Sequence, residues 1–118
     1  MDFIKNTGLS GGNKMTTDNF NAIINRQIER CKSTLCSKAE EYATADRLHN
    51  FKVAGALQGV SPVQALMGMM AKHTVSVADM CMSGETYPQE MWDEKITDSI
   101  NYLLLLAALV REGSNENN

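Results

Sequence analysis

Phe20, Ile24, Ile28, Cys31, Leu35, Ala39 and Tyr42 follow one another at steps of 4, 4, 3, 4, 4 and 3. A strand alternates its side chains and cannot gather that set on one face. A helix of 3.6 residues per turn can. The stripe predicts a first helix of about 25 residues, opening at a cap on Thr17 or Asp18 and closing near Tyr42 or Ala43. A single apolar face is not stable alone in water, so the rest of the chain has to supply what it lies on.

The remainder is of the same kind. Aromatic residues make up 6% of the 118 residues and there are only 2 prolines, while 8 residues are methionine. Few strand formers and few breakers favour helices. After the first stripe the period breaks at TADRLHNFK, where Asp46 and Asn50 are cap-type residues. A short second helix follows, about Phe51 to Leu57, ending at Gly59. Ser61-Pro62-Val63-Gln64 is the sharpest local signal. Ser61 can cap, proline suits the first helical position, and Gln64 can reach back to complete a capping box. The third helix runs from Pro62 to about Met82 on the stripe Leu66, Met69 or Met70, His73, Val77 and Met80, and Gly84 stops it. The fourth runs from about Pro88 to Arg111, with Gly113 ending it. Its second half, YLLLLAALV from Tyr102 to Val110, is apolar all round and predicts burial on several sides, as a central helix or a subunit interface.

The expected architecture is therefore all-α, four-helix bundle-like and oligomeric, in one domain. Residues 1–15, with three glycines, read as a flexible N-terminal arm; residues 16–112 form the all-α domain; residues 113–118 are a frayed tail. A homodimer or larger is expected, because large exposed apolar patches are rare on monomers.

Charge and cysteine content narrow the functional classes. Eleven basic against 14 acidic residues give a net charge of −3, without the basic footprint of a protein that binds extended nucleic acid. The N-terminus lacks a signal-peptide pattern, and the longest apolar run is far short of the ~20 residues needed to cross a bilayer. A cytoplasmic protein with no membrane partner is expected. Cys31, Cys36 and Cys81 show no metal-type spacing, and Cys31 and Cys36 lie about 140° apart around a helix; reduced, mostly buried thiols are the expectation.

Acidic residues carry the chemistry. Between Glu85 and Asp98 the chain holds five acids and only Lys95 as a base. Acids in a first helical turn are favoured by the helix dipole, by ~0.3–1 kcal/mol each. That accounts for Glu90, Asp93 and in part Glu94, but not for Asp98, which lies deeper in the helix. Asp98 falls one turn after Glu94 on the same face, which Asn101 and Tyr102 continue. Like charges at that spacing repel unless a cation sits between them. Oxygen ligands of this kind suit Mg²⁺. The competing reading is a solvated face with internal ion pairs.

A second cluster, Glu40, Glu41, Asp46, Arg47, His49, Asn50 and Lys52, surrounds Leu48 and Phe51. It reads either as a capped helix end or as a pocket rim, with acids for a cation and Arg47, His49 or Lys52 for phosphate. Lys72 can reach an anion from a polar face of the third helix. His73, on an apolar stripe, reads as a core histidine. Met67, Met69, Met70, Met80 and Met82 read as adaptable core packing.

Three stretches, KAEEYATADRLHNFKVAGALQG, MMAKHTVSVADM and WDEKITDSINYLLLLAAL, resemble a group of small phage-encoded proteins. These in turn resemble the MazG-like all-α nucleotide pyrophosphohydrolases. The resemblance spans roughly residues 35–112. It implies a Glu-x-x-Glu helix and a Glu-x-x-Asp helix whose carboxylates hold Mg²⁺ against a nucleoside triphosphate. Asp98, followed by Tyr102 and an apolar run, matches the second motif. Lys95 stands where that motif has its Glu, with Glu94 one residue away. Glu41 is flanked at three-residue spacing by Lys38 and Thr44 rather than by a second acid.

The resemblance implies one of two functions. The first is Mg²⁺-dependent hydrolysis of a nucleotide between its α- and β-phosphates, in the cytoplasm of a host. Glu41, Glu94 and Asp98 would be catalytic, and Asp46 would join them on the metal. Arg47, His49, Asn50, Lys52, Lys72, Lys95, Asn101 and Tyr102 would bind substrate. The second is a catalytically inactive relative that sequesters a nucleotide signal or binds a host protein. A structural or assembly protein is the third class.

Overall fold

The computed structural model describes residues 14–37 and 46–115. Among them there are four helices and no strand: α1 (Thr17–Ser37), α2 (His49–Gln58), α3 (Pro62–Ser83) and α4 (Gln89–Asn115). The expected all-α, bundle-like fold is the one found. α3 packs against both α2 and α4, and α1 lies on α4.

Each helix opens where local chemistry provides for its unpaired amides. Thr16, one residue earlier than expected, caps α1: its Oγ1 accepts from the Asn19 amide at 3.1 Å. The Asp46 carboxylate accepts from the Leu48 amide at 2.9 Å, and the turn it stabilises leads into α2. The capping box of α3 forms as the sequence predicts. Ser61 Oγ accepts from the Gln64 amide at 3.1 Å, and Gln64 Oε1 accepts from the Ser61 amide at 2.9 Å. α4 opens on the Pro88 carbonyl, which accepts from Met91 at 3.0 Å.

The stops are also largely as expected. Gly59 and Gly84 end α2 and α3 with φ of 70° and 74°, a left-handed conformation that favours glycine. Gly113 does not stop α4, which continues to Asn115. A glycine inside a helix costs only about 1 kcal/mol relative to alanine and does not by itself break it. Gly55 has a different role. A Cβ there would stand 2.8 Å from the Val60 carbonyl oxygen, so its lack of a side chain lets α2 close onto the turn that leads to α3.

The core gathers Leu48, Phe51, Leu66 and Leu109, with Met69, Tyr102, Leu105 and Leu106 packed against it. Leu66 is fully buried. The N-terminal part of the α1 stripe does not join this core. Phe20, Ile24 and Ile28 are 53%, 40% and 49% exposed, and among the described helices α1 packs on α4 alone. The apolar run of α4 likewise buries one side through Leu109 and leaves Leu103, Leu104 and Val110 open. Burial on several sides is thus not achieved within the described residues. The methionines divide too: Met80 is buried and Met69 packs on the core, whereas Met67 and Met82 are exposed. Of the thiols, all free, only Cys31 is buried; Cys36 and Cys81 are exposed, against the expectation of mostly buried cysteines. No described helix is long and apolar enough to cross a membrane.

Candidate functional site

A cavity of about 300 Å³ opens where the four helices converge. α4 supplies one wall through Asp98, Asn101, Tyr102 and Leu105, a set at i, i+3, i+4 and i+7 that a helix must place on one stripe. α3 supplies Met69 and His73, one turn apart. Arg47 comes from the turn before α2, Asn50 and Phe51 from the start of α2, and Thr34 and Leu35 from α1.

Within the cavity His73 connects the others. Its ring lies 4.9 Å from that of Tyr102, tilted by 35°, and its Nδ1 is 3.8 Å from Asp98 Oδ2. Arg47 fixes the near edge, donating from Nη2 to the Leu35 carbonyl at 3.1 Å. Asn101 is 6% exposed, and its Oδ1 is buried without a hydrogen-bond partner. A buried acceptor left unpaired lowers stability and is uncommon.

A shallower groove of about 590 Å³ adjoins the cavity, sharing Thr34 and Asp98 with it. Arg26, Arg30 and Ser33 of α1 face Asp93, Glu94 and Thr97 of α4 across this groove. Arg30 pairs with Asp93 at 3.4 Å, and Gln27 donates to the buried Thr97 hydroxyl at 2.8 Å, tying the two helices together. Glu94 and Asp98 have no lysine or arginine against them among the described residues.

Of the residues expected at the site, Arg47, Asn50, Asp98, Asn101 and Tyr102 are brought together in the cavity, and Glu94 reaches the adjoining groove. Asp46 and Lys52 are not. Lys52 Nζ lies 2.7 Å from Asp46 Oδ2 and 2.9 Å from Glu112 Oε1. The hydrogen bond from Lys52, then that from the Leu48 amide, holds the Asp46 carboxyl below its usual range. Asp46, then Glu112, pushes the Lys52 ammonium up. These charges are paired with each other, in a clamp that joins the turn before α2 to α4. His49, Lys72 and Lys95 lie outside both cavity and groove. Glu41 and Glu40 lie outside the described residues.

His73, read from the sequence as a core histidine, is packed against Tyr102 and paired with Asp98. It lines the cavity beside Asp98, and its side chain is 17% exposed. A lone polar ring on an otherwise apolar stripe, one turn from Met69, was the available signal. Arg26 and Arg30 were also missed, although their one-turn spacing is visible in the sequence.

Among the described residues no three acidic, histidine or cysteine side chains cluster tightly enough to cage an ion. Mg²⁺, however, is commonly held by one or two carboxylates, with waters and substrate phosphates completing its shell. No protein-family model matches the chain, and no curated protein or solved structure matches it.

Proposed function

We propose that the cavity and groove bind a nucleotide with Mg²⁺, and that the protein acts as a MazG-like, phage-type nucleoside triphosphate pyrophosphohydrolase. The observation that carries this reading is the pair Glu94 and Asp98: two carboxylates one turn apart, beside a cavity, with His73 at 3.8 Å from Asp98 and no lysine or arginine paired with either among the described residues. Such a pair repels itself unless a cation joins it. Asp98, with Glu94 beside it, would hold the ion. Bound there, Mg²⁺ would offset phosphate charge and acidify a water. Hydrolysis would add the elements of that water across the bond between α- and β-phosphates, releasing a nucleoside monophosphate and pyrophosphate.

A second reading keeps the pocket without the chemistry. Lys95 stands where the resembling motif has Glu, and Asp46 is locked to Lys52, which favours a nucleotide-sequestering or host-interaction protein. Asp98→Asn discriminates the site from a solvated face, since it removes the charge and keeps the shape. Mg²⁺-dependent binding should fall by at least about tenfold, with the fold retained. Product analysis on the unaltered protein then separates the two readings: monophosphate plus pyrophosphate supports the enzyme, and an intact bound nucleotide supports the binding protein.

The protein is further proposed to self-associate. The exposed faces of α1 at Phe20, Ile24 and Ile28 and of α4 at Leu103, Leu104 and Val110 are apolar surfaces of the kind oligomers cover. Light scattering at micromolar protein should give a dimer mass or larger; a monomer mass would refute this.

A further inference from the structure

We propose that the exposed face of α3 docks on the same face of a second copy of the chain, the two helices running antiparallel across a twofold axis. This face is distinct from the α1 and α4 surfaces above, and the assignment does not rest on the nucleotide reading.

α3 has two faces. One holds Ala65, Leu66 and Met80, which are buried, and turns Met69 and His73 to the cavity. On the other, Gly68, Ala71, Val75, Ala78 and Met82 follow one another at steps of 3, 4, 3 and 4. That alternation averages 3.5 residues, the spacing of a seam that packs lengthwise against another helix. All five are exposed, Val75 by 56% and Met82 by 84%. Among the described residues α3 packs on α2 and α4, and both lie away from this face.

The occupant follows from the way the face complements itself. Lys72 and Asp79 stand seven residues apart along one edge of the seam, and α3 has no other lysine, arginine or acid. Neither makes an ion pair among the described residues. An antiparallel pair centred near Ser76 brings Lys72 of each copy beside Asp79 of the other, so one helix face supplies two ion pairs. The same axis sets the long Met82 side chain over Ala71 of the second copy, and Val75 against Ala78. A twofold interface needs each feature and its complement on one surface, evenly placed about the axis. Here charge and side-chain size are both arranged in that way about one point of the helix. About three turns of helix bury less than the ~800 Å² per partner of a standard interface, which places this dimer in the weak, reversible class.

Sedimentation equilibrium over a micromolar to submillimolar range tests the assignment on the full chain and on Val75→Asp, Lys72→Glu, Asp79→Lys and the double exchange Lys72→Glu with Asp79→Lys. All these positions are exposed, and circular dichroism checks that each variant keeps its helices. The parent should form dimers. Val75→Asp puts a carboxylate into the apolar seam of each copy and should weaken the dimer at least about tenfold. Each single exchange turns both ion pairs into like-charge pairs and should weaken it about fivefold or more. The double exchange restores both pairs with their charges reversed and should return the affinity to within about twofold of the parent. A parent that stays monomeric throughout overturns the proposal. Association that none of the variants alters also overturns it, and assigns the contact to the α1 or α4 surface instead. Single exchanges that weaken the dimer without rescue by the double exchange overturn the antiparallel pairing. The nucleotide reading stands under each of these outcomes, because Val75, Lys72 and Asp79 line neither the cavity nor the groove.

Discussion

Asp46 and Glu112 share the ammonium of Lys52, whereas Glu94 and Asp98 have no lysine or arginine paired with them among the described residues. Both are pairs of carboxylates on the same small protein. Their surroundings separate them. The first pair is satisfied by a lysine held at 2.7 and 2.9 Å, and its charge fastens the turn before α2 to the last turns of α4. The second pair borders a cavity, with only His73 at 3.8 Å from Asp98. An acid that has found its counter-charge is architecture; one that has not is available to a ligand.

Both clusters depend on the core that holds α2, α3 and α4 together, so the largest effect should come from breaking it. Leu66 is fully buried at its centre. Leu66→Ala should cost about 2–5 kcal/mol, read by chemical denaturation, and weaken structure at both clusters. A cost well below that range would mean that the helices do not share this core.

Removing the clamp alone should do much less. Lys52→Met keeps the aliphatic stem and deletes the ammonium. It should lower the melting temperature by a few degrees and leave nucleotide affinity unchanged, since half-exposed ion pairs contribute modestly. A large loss of binding would return Lys52 to the site.

The pH dependence sharpens the same contrast. The carboxyl of Asp46 is held low, so its stabilisation is present above the unfolded value of about 3.9 and is lost as pH falls through the folded one. The ammonium of Lys52 is pushed up, so its stabilisation is present below about 10.4 and is lost as pH rises through the folded value. The difference in melting temperature between parent and Lys52→Met should therefore be flat near neutrality and shrink at both extremes. A difference that changed between pH 6 and 8 would point to another group.

Much of this fold was legible because helix signals are local. Ser61, Pro62 and Gln64 lie within four residues, and Gly59 and Gly84 act on their own turns. The Asp98, Asn101 and Tyr102 stripe was legible for the same reason, since a helical period fixes which side chains share a face. What stayed hidden depends on pairing between distant elements. Nothing near Lys52 in the chain announces Glu112, and no local pattern distinguishes a histidine packed inside from one facing a cavity. The α1 stripe promised a buried face, yet periodicity does not say how many neighbours arrive to cover it. Phe20, Ile24 and Ile28 remain open for that reason.

Asp98 is proposed to be a ligand-facing charge and Asp46 a structural one. Calorimetric titration of Mg²⁺-nucleoside triphosphate into the parent protein, Asp98→Asn and Lys52→Met tests this most directly, with chelator in a parallel series. The prediction is saturable binding to the parent and to Lys52→Met, abolished by chelator and weakened at least about tenfold in Asp98→Asn. Equal affinity in the parent and Asp98→Asn, or no binding to the parent for any nucleotide, would contradict it.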